Sequence, residues 1–194
     1  MQSWWRAAIV GGVLLAILSA VVVPGLMSSQ RASNERAAST TLKTLSSAEA
    51  DFRANDRDAN GVNDFWTGDV SGLYSLKVKD RELRLLERAV AEADSCPIHG
   101  LCWPYRPKQG YFFAAMEADD SENGVSYFQN TGGNRPMGDV HNLERFAFCA
   151  FAESRGRGTY SFIMNQNNTV YRSRRGGHVT RWPDDPKLMK IWAG

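Results

Sequence analysis

Between residues 55 and 69 the chain reads NDRDANGVNDFWTGD, and its oxygen-bearing side chains fall at regular steps. Asp56, Asp58, Asn60 and Asp64 follow the spacing D-x-D-x-N-G-x-x-D, with Gly61 at the turn. Ca²⁺ takes several hard oxygen ligands at about 2.3–2.6 Å, and alternate residues around a tight glycine turn can supply them. Asp69 would add one more carboxylate. The pattern departs from an EF-hand loop at its end, where Thr67 replaces the closing glutamate. The following WTGDVSGLY also carries two glycines where a helix should begin. The same residues suit a second role, an Asp/Asn-rich turn that ends a helix through side-chain-to-backbone hydrogen bonds. Two readings therefore stand: a Ca²⁺ site made by Asp56, Asp58, Asn60, Asp64 and Asp69, or a hydrogen-bonded turn. No other cofactor is expected.

The second chemical cluster is SCPIHGLC, residues 95–102. Cys96 and Cys102 can pair across this short loop in an oxidising compartment, which typically contributes about 2–3 kcal/mol. Free thiols, or a metal on Cys96, His99 and Cys102, are the other readings, although zinc needs a fourth ligand and none is near in sequence. Cys149 lies in the apolar run FAFCAF and reads as a buried free thiol. There is no G-x-S-x-G, phosphate-loop or H-E-x-x-H motif. His99, His141 and His178 are far apart in sequence, so an enzyme is not expected. Arg172, Arg174, Arg175, His178 and Arg181 form a basic run that suits a solvated strand end or an acidic partner.

The element that must carry all of this comes first in the chain. Ala7 to Met27, AAIVGGVLLAILSAVVVPGLM, holds no charged residue. It is about 21 residues long, and a helix of that length rises roughly 30 Å, the thickness of a bilayer's hydrocarbon core. Beyond Pro24, Ala38, Leu42, Leu45, Ala48 and Phe52 recur at steps of three or four, which makes one apolar stripe. That continuation, and an apolar run longer than a usual signal h-region, favours a retained anchor over a cleaved signal peptide. The expectation is one helix over about 7–54, kinked where Pro24 removes a hydrogen bond. Residues 1–28 would span the membrane, 29–54 form an amphipathic half, and 55–194 make a globular α+β domain.

The run ILSAVVVPGLMSSQRASNERAASTTLKTLSSAEADFRAND resembles the N-terminal helix of type IV pilin-like proteins, above all the pseudopilins of type II secretion. The resemblance lies in Pro24, Arg31, the Asn34-Glu35 step, and Leu42-x-x-Leu45-x-x-Ala48-x-x-x-Phe52. It implies a long helix packed on an antiparallel sheet, a non-enzymatic structural role, and other pilin-like subunits or further copies of the chain as partners. Two family features have no counterpart. Gln2-Ser3 stands at the place of the processing site, and Ala7 near that of the early glutamate.

The body reads as one domain. Net charge is +2, from 23 Lys and Arg against 21 Asp and Glu, so no strong field for nucleic acid is present. Mean hydropathy is −0.39 even with the apolar run included, so the remainder is distinctly polar. A helix is expected over Arg81–Ala93, with Asp80 capping it and Leu83, Leu86, Val90 and Ala93 on one face. From Tyr111 the pattern is sheet: YFFAAMEA, VSYFQN, RFAFCAFAE, and a hairpin of TYSFIMNQ and TVYRSR around Asn167-Asn168. These strand segments are also similar to a bacterial secreted domain of unassigned role. Asp185-Pro186 can start a last helical turn.

Positive charge does not decide orientation, with the amine and Arg6 on one side and Arg31, Arg36 and Lys43 on the other. An N-terminal tail this short usually stays inside. The expected location is a bacterial inner membrane, crossed once, N-terminus cytoplasmic and body periplasmic. The expected function is a pilin-like structural subunit of a secretion or pilus-type assembly. The alternative is a signal-anchored monomeric periplasmic binding module stabilised by Ca²⁺.

Overall fold

A computed structural model describes residues 3–98, 105–119, 124–129, 131, 140–174, 177–183 and 190–191, with side chains in α1 described at 11–12, 20 and from 22 on. His99, Cys102, Arg175 and Asp185-Pro186 lie outside the described residues.

Helix α1 runs unbroken over Ser3–Ala54, through Pro24, for 52 residues. At 1.5 Å per residue that is about 78 Å. Its two halves have different surroundings. The described side chains at 11–12, 20 and 22–30 are exposed, including Val22, Val23, Leu26 and Met27. From Asn34 the expected stripe is buried, with Leu42 and Leu45 fully so and Phe52 only 1% exposed.

What the stripe packs against is a five-stranded antiparallel sheet. The elements after α1 are β1 (Phe65–Trp66), α2 (Gly72–Ser75), β2 (Lys77–Val78), β3 (Arg81–Glu82), α3 (Arg88–Ala91), β4 (Tyr111–Ala115), β5 (Ala118–Asp119), β6 (His141–Asn142), β7 (Ala147–Ala152), β8 (Ser161–Asn165), β9 (Val170–Ser173), β10 (Arg181–Trp182) and β11 (Lys190–Ile191). The large sheet has the order β11-β9-β8-β7-β4. Phe148, Ala150, Phe162 and Met164 join Leu42, Leu45 and Phe52 in one core, as period-two alternation requires. The opposite face is also covered. There Ala114, Cys149 and Ile163 meet Met116 and Tyr127 in a second, smaller core. Burial explains the Cys149 thiol, which is pushed up to about 12 and stays inert. The hairpin at Asn167-Asn168 forms as expected, with Asn168 at φ 56°.

The Asn34-Glu35 step ties α1 to the β7–β8 turn. Asn34 donates Nδ2–H to the Arg157 carbonyl at 2.9 Å, and Glu35 Oε1 accepts the Thr159 N–H at 2.8 Å. Gly158 sits between them because Tyr111 occupies the space that any Cβ would need.

The helix expected over Arg81–Ala93 does not form. Instead β2 and β3 make a hairpin, with Lys79 and Asp80 at φ 48° and 68°, and only α3 is helical. The reason is Leu85. Leu83 and Leu85 alternate and both pack toward the core, while Leu83, Arg84 and Leu85 donate backbone N–H groups to Leu76, Tyr74 and Leu73. Tertiary pairing of an extended segment outweighs a helical pattern that omitted one leucine. The described residues of VSYFQN, likewise, contribute isolated bridges at Ser126 and Gln129 in place of a strand.

Candidate metal centre

The loop after α1 first closes the helix. Asn63 donates Nδ2–H to the Arg53 carbonyl at 2.8 Å. Asp56, at φ 44°, accepts the N–H groups of Asn60 and Gly61 on its two carboxylate oxygens. This is the turn role, and it uses both Asp56 oxygens. Asn60 Oδ1 accepts the Val62 N–H at 2.7 Å, and its Nδ2 donates to Asp58 Oδ2 at 2.5 Å.

Asp58 and Asp64 are turned the other way, into the protein. His141, from β6, joins them. β6 pairs with β1, the strand that directly follows Asp64, in the register Trp66↔His141. Nε2 of His141 lies 3.0 Å from Asp58 Oδ2. One ligand atom from each of Asp58, Asp64 and His141 falls within 4.8 Å of the others. Asp64 is fully buried and His141 only 2% exposed. Thr131 donates its hydroxyl to Asp64 Oδ2 at 2.5 Å. Burial pushes Asp58 up, but its interactions with His141 and the hydrogen bond from Asn60 are among those that outweigh it, and its carboxyl lies below the usual range.

No protein-family model and no curated protein matches this chain.

Glu49 of α1 holds the strand that follows Asp64. It is fully buried, and Oε2 accepts the Trp66 N–H at 3.0 Å. Burial, reinforced by the nearby Asp64 charge, pushes its carboxyl well above the usual range despite that N–H. Phe52 and Trp66 wall the imidazole, with ring centroids 6.2 and 5.2 Å from it.

Of the five residues read as Ca²⁺ ligands, the structure brings Asp58 and Asp64 to one place. Asp56 and Asn60 serve the turn. Asp69 sits elsewhere: Oδ1 accepts the Gly72 N–H at 2.7 Å and Oδ2 the Ile98 N–H at 2.7 Å. His141 is the residue that sequence reasoning missed, and no local motif marks it. Cys96 is exposed with a free thiol, and its expected partner Cys102 lies outside the described residues. Around Tyr160, Arg172 and Arg174 of the basic run stack at 4.6 and 5.7 Å from the ring centroid.

Asp69 has a buried neighbour, Asp94, which accepts the Ser71 and Cys96 N–H groups at 2.7 and 2.9 Å. Burial and the Asp69 charge raise the Asp94 carboxyl to about 6, against those two hydrogen bonds. A raised folded-state value means that the native state holds the proton where the unfolded chain has lost it. Stability from this group is therefore largest near pH 4 and falls as pH rises toward 6, by about 2–3 kcal/mol. Chemical denaturation of wild type and Asp94→Asn at pH 4.5 and 7 isolates the effect. Over that interval the wild-type loss should exceed the variant's by about 2 kcal/mol, and equal pH slopes would contradict it.

Proposed function

We propose that the protein is a non-enzymatic, pilin-like structural subunit. The first half of α1 anchors it in a bacterial inner membrane, with the N-terminus cytoplasmic and the body periplasmic. That half then packs on the stems of other pilin-like subunits or of further copies. The observation that carries this reading is the division of α1. One helix has a C-terminal half that is the spine of an α+β body, and an N-terminal half whose described side chains are exposed. Val22, Val23, Leu26 and Met27 stand about half exposed or more, so this surface needs lipid or sister helices. Gly11, Gly12 and Gly25 have open space around them, the kind of small surface on which helices approach closely in lipid. Among the described residues no helix is long and apolar enough to cross a membrane. Support for a span comes from the sequence, which holds no charged residue from Ala7 to Met27.

The second reading, a monomeric anchored binding module, draws on the missing early glutamate. It also draws on a cleft of about 360 Å³ bordered by Tyr127, Arg145, Tyr171 and Trp182. Oxidative crosslinking separates the two. Single cysteines at Val10, Leu14 and Leu18, in a background lacking Cys96, Cys102 and Cys149, should give position-dependent dimers and ladders in membranes. Only monomer at every position, with the protein folded and membrane-bound, would leave an anchor and remove the assembly.

A further inference from the structure

We propose that Asp58, Asp64 and His141 form a binding site for one divalent transition-metal ion of the zinc class, which staples the loop after α1 to β6. The inference is independent of whether the stem assembles.

Three observations carry it. The first is convergence. Two carboxylates from the helix-ending loop and an imidazole from a strand far along the chain place ligand atoms within 4.8 Å. Ligands at about 2.0–2.2 Å from zinc stand roughly 3.5 Å apart, so side-chain adjustment of about 1 Å closes the triad. The second is unmet hydrogen-bonding capacity inside the protein. Asp58 Oδ1 and His141 Nδ1 are buried and have no hydrogen-bond partner among the described residues. Glu49, outside the triad and fully buried, likewise leaves Oε1 without one. Buried polar atoms are ordinarily satisfied, and open atoms on two of the three clustered residues, Asp58 and His141, point to a partner that the protein itself does not supply. The third is the surrounding shell. Thr131 holds Asp64, Asn60 holds Asp58, and Phe52 and Trp66 wall the imidazole. Ligands held by outer hydrogen bonds and an apolar wall are what a metal site requires.

The donor set selects the metal. Ca²⁺ and Mg²⁺ prefer oxygen alone, whereas an imidazole suits zinc and its neighbours in the first transition row. This replaces the all-oxygen set of the loop with two oxygens and one nitrogen. Two carboxylates balance the charge of a divalent ion. Three protein ligands leave a further position for water. Binding requires a neutral imidazole with a bare ligating nitrogen, so a ring proton that lies on that nitrogen moves to the other or leaves to solvent.

The test uses the full chain in detergent, stripped with chelator, with Cys96→Ser and Cys102→Ser in place so that the cysteine loop cannot bind. ZnCl₂ and CaCl₂ are added separately, and bound metal is counted after dialysis. The expected result is one Zn²⁺ per chain, a higher melting temperature with zinc than with calcium, and imidazole scattering in the zinc X-ray absorption spectrum. His141→Gln and Asp64→Asn should each weaken zinc binding by about 100-fold or more, beyond the 10–100-fold loss typical of outer-shell changes. His178→Gln should leave it unchanged. Absorption spectra of Co²⁺-loaded protein keep the test valid if a variant folds poorly, because they report the wild-type ligand set. Absence of stoichiometric zinc, equal zinc binding in wild type and His141→Gln, or stabilisation by calcium but not by zinc would each overturn the proposal.

Discussion

Replacing Trp66 by alanine is expected to cost about 3–5 kcal/mol, a large share of the 5–15 kcal/mol that holds a typical domain together. Trp66 is 1% exposed and packs between Phe52 of α1 and His141 of β6. Its indole N–H donates to the Asp69 carbonyl at 2.9 Å, so the ring also fixes the next turn of chain. The chain is shaped to take the ring. A Cβ on Gly68 would lie 2.7 Å from the indole, and one on Gly72 would lie 2.5 Å from its nitrogen. Trp66→Phe keeps most of the packing but loses the N–H, and should cost clearly less than alanine. Urea denaturation followed by circular dichroism measures both. An alanine cost below about 1 kcal/mol would show that the core relaxes around the gap, contrary to close packing at this junction.

How legible such a junction is depends on the range of the interactions that make it. The stripe Leu42, Leu45, Ala48 and Phe52 could be read because a helix repeats every 3.6 residues and needs no knowledge of its partner. The strands β7, β8 and β9 were readable for the same reason at period two, helped by Asn167-Asn168. Alternation alone did not reveal that both faces of the sheet are buried, since covering the second face takes Met116 and Tyr127 from other parts of the chain. Arg81–Ala93 was misread because Leu85 belongs to an extended segment whose hydrogen-bond partners lie in residues 73–76. The candidate site divides along the same line. Asp58 and Asp64 stand in one loop and were found together. His141 reaches Asp58 across 83 residues, and only the β1–β6 pairing brings it there. Asp69 shared the spacing but not the destination, because acidic spacing does not say which backbone N–H groups will need an acceptor.

The double substitution Leu42→Ala/Leu45→Ala is expected to unfold the body while leaving the stem in place. Both leucines are fully buried on the face of α1 that meets the sheet. Each Leu→Ala change in a core costs about 2–5 kcal/mol. The two sites are neighbours and will not add strictly, so about 4–8 kcal/mol in total is the expected range. That reaches the whole stability of many domains. The described side chains of the N-terminal half of α1 are exposed and take no part in this packing. Its hold on a membrane would come from its own apolar length. Trypsin should therefore cleave the variant's body at lysines and arginines that wild type protects, while the N-terminal fragment stays in the membrane fraction. Lys43→Ala/Thr44→Ala, on the exposed face between them, should behave as wild type. Loss of the fragment from the membrane would mean that the folded body, not the stem, provides the attachment. Retention with a digested body would mean that one continuous helix holds two separable energies, one set by water and the sheet and the other by lipid.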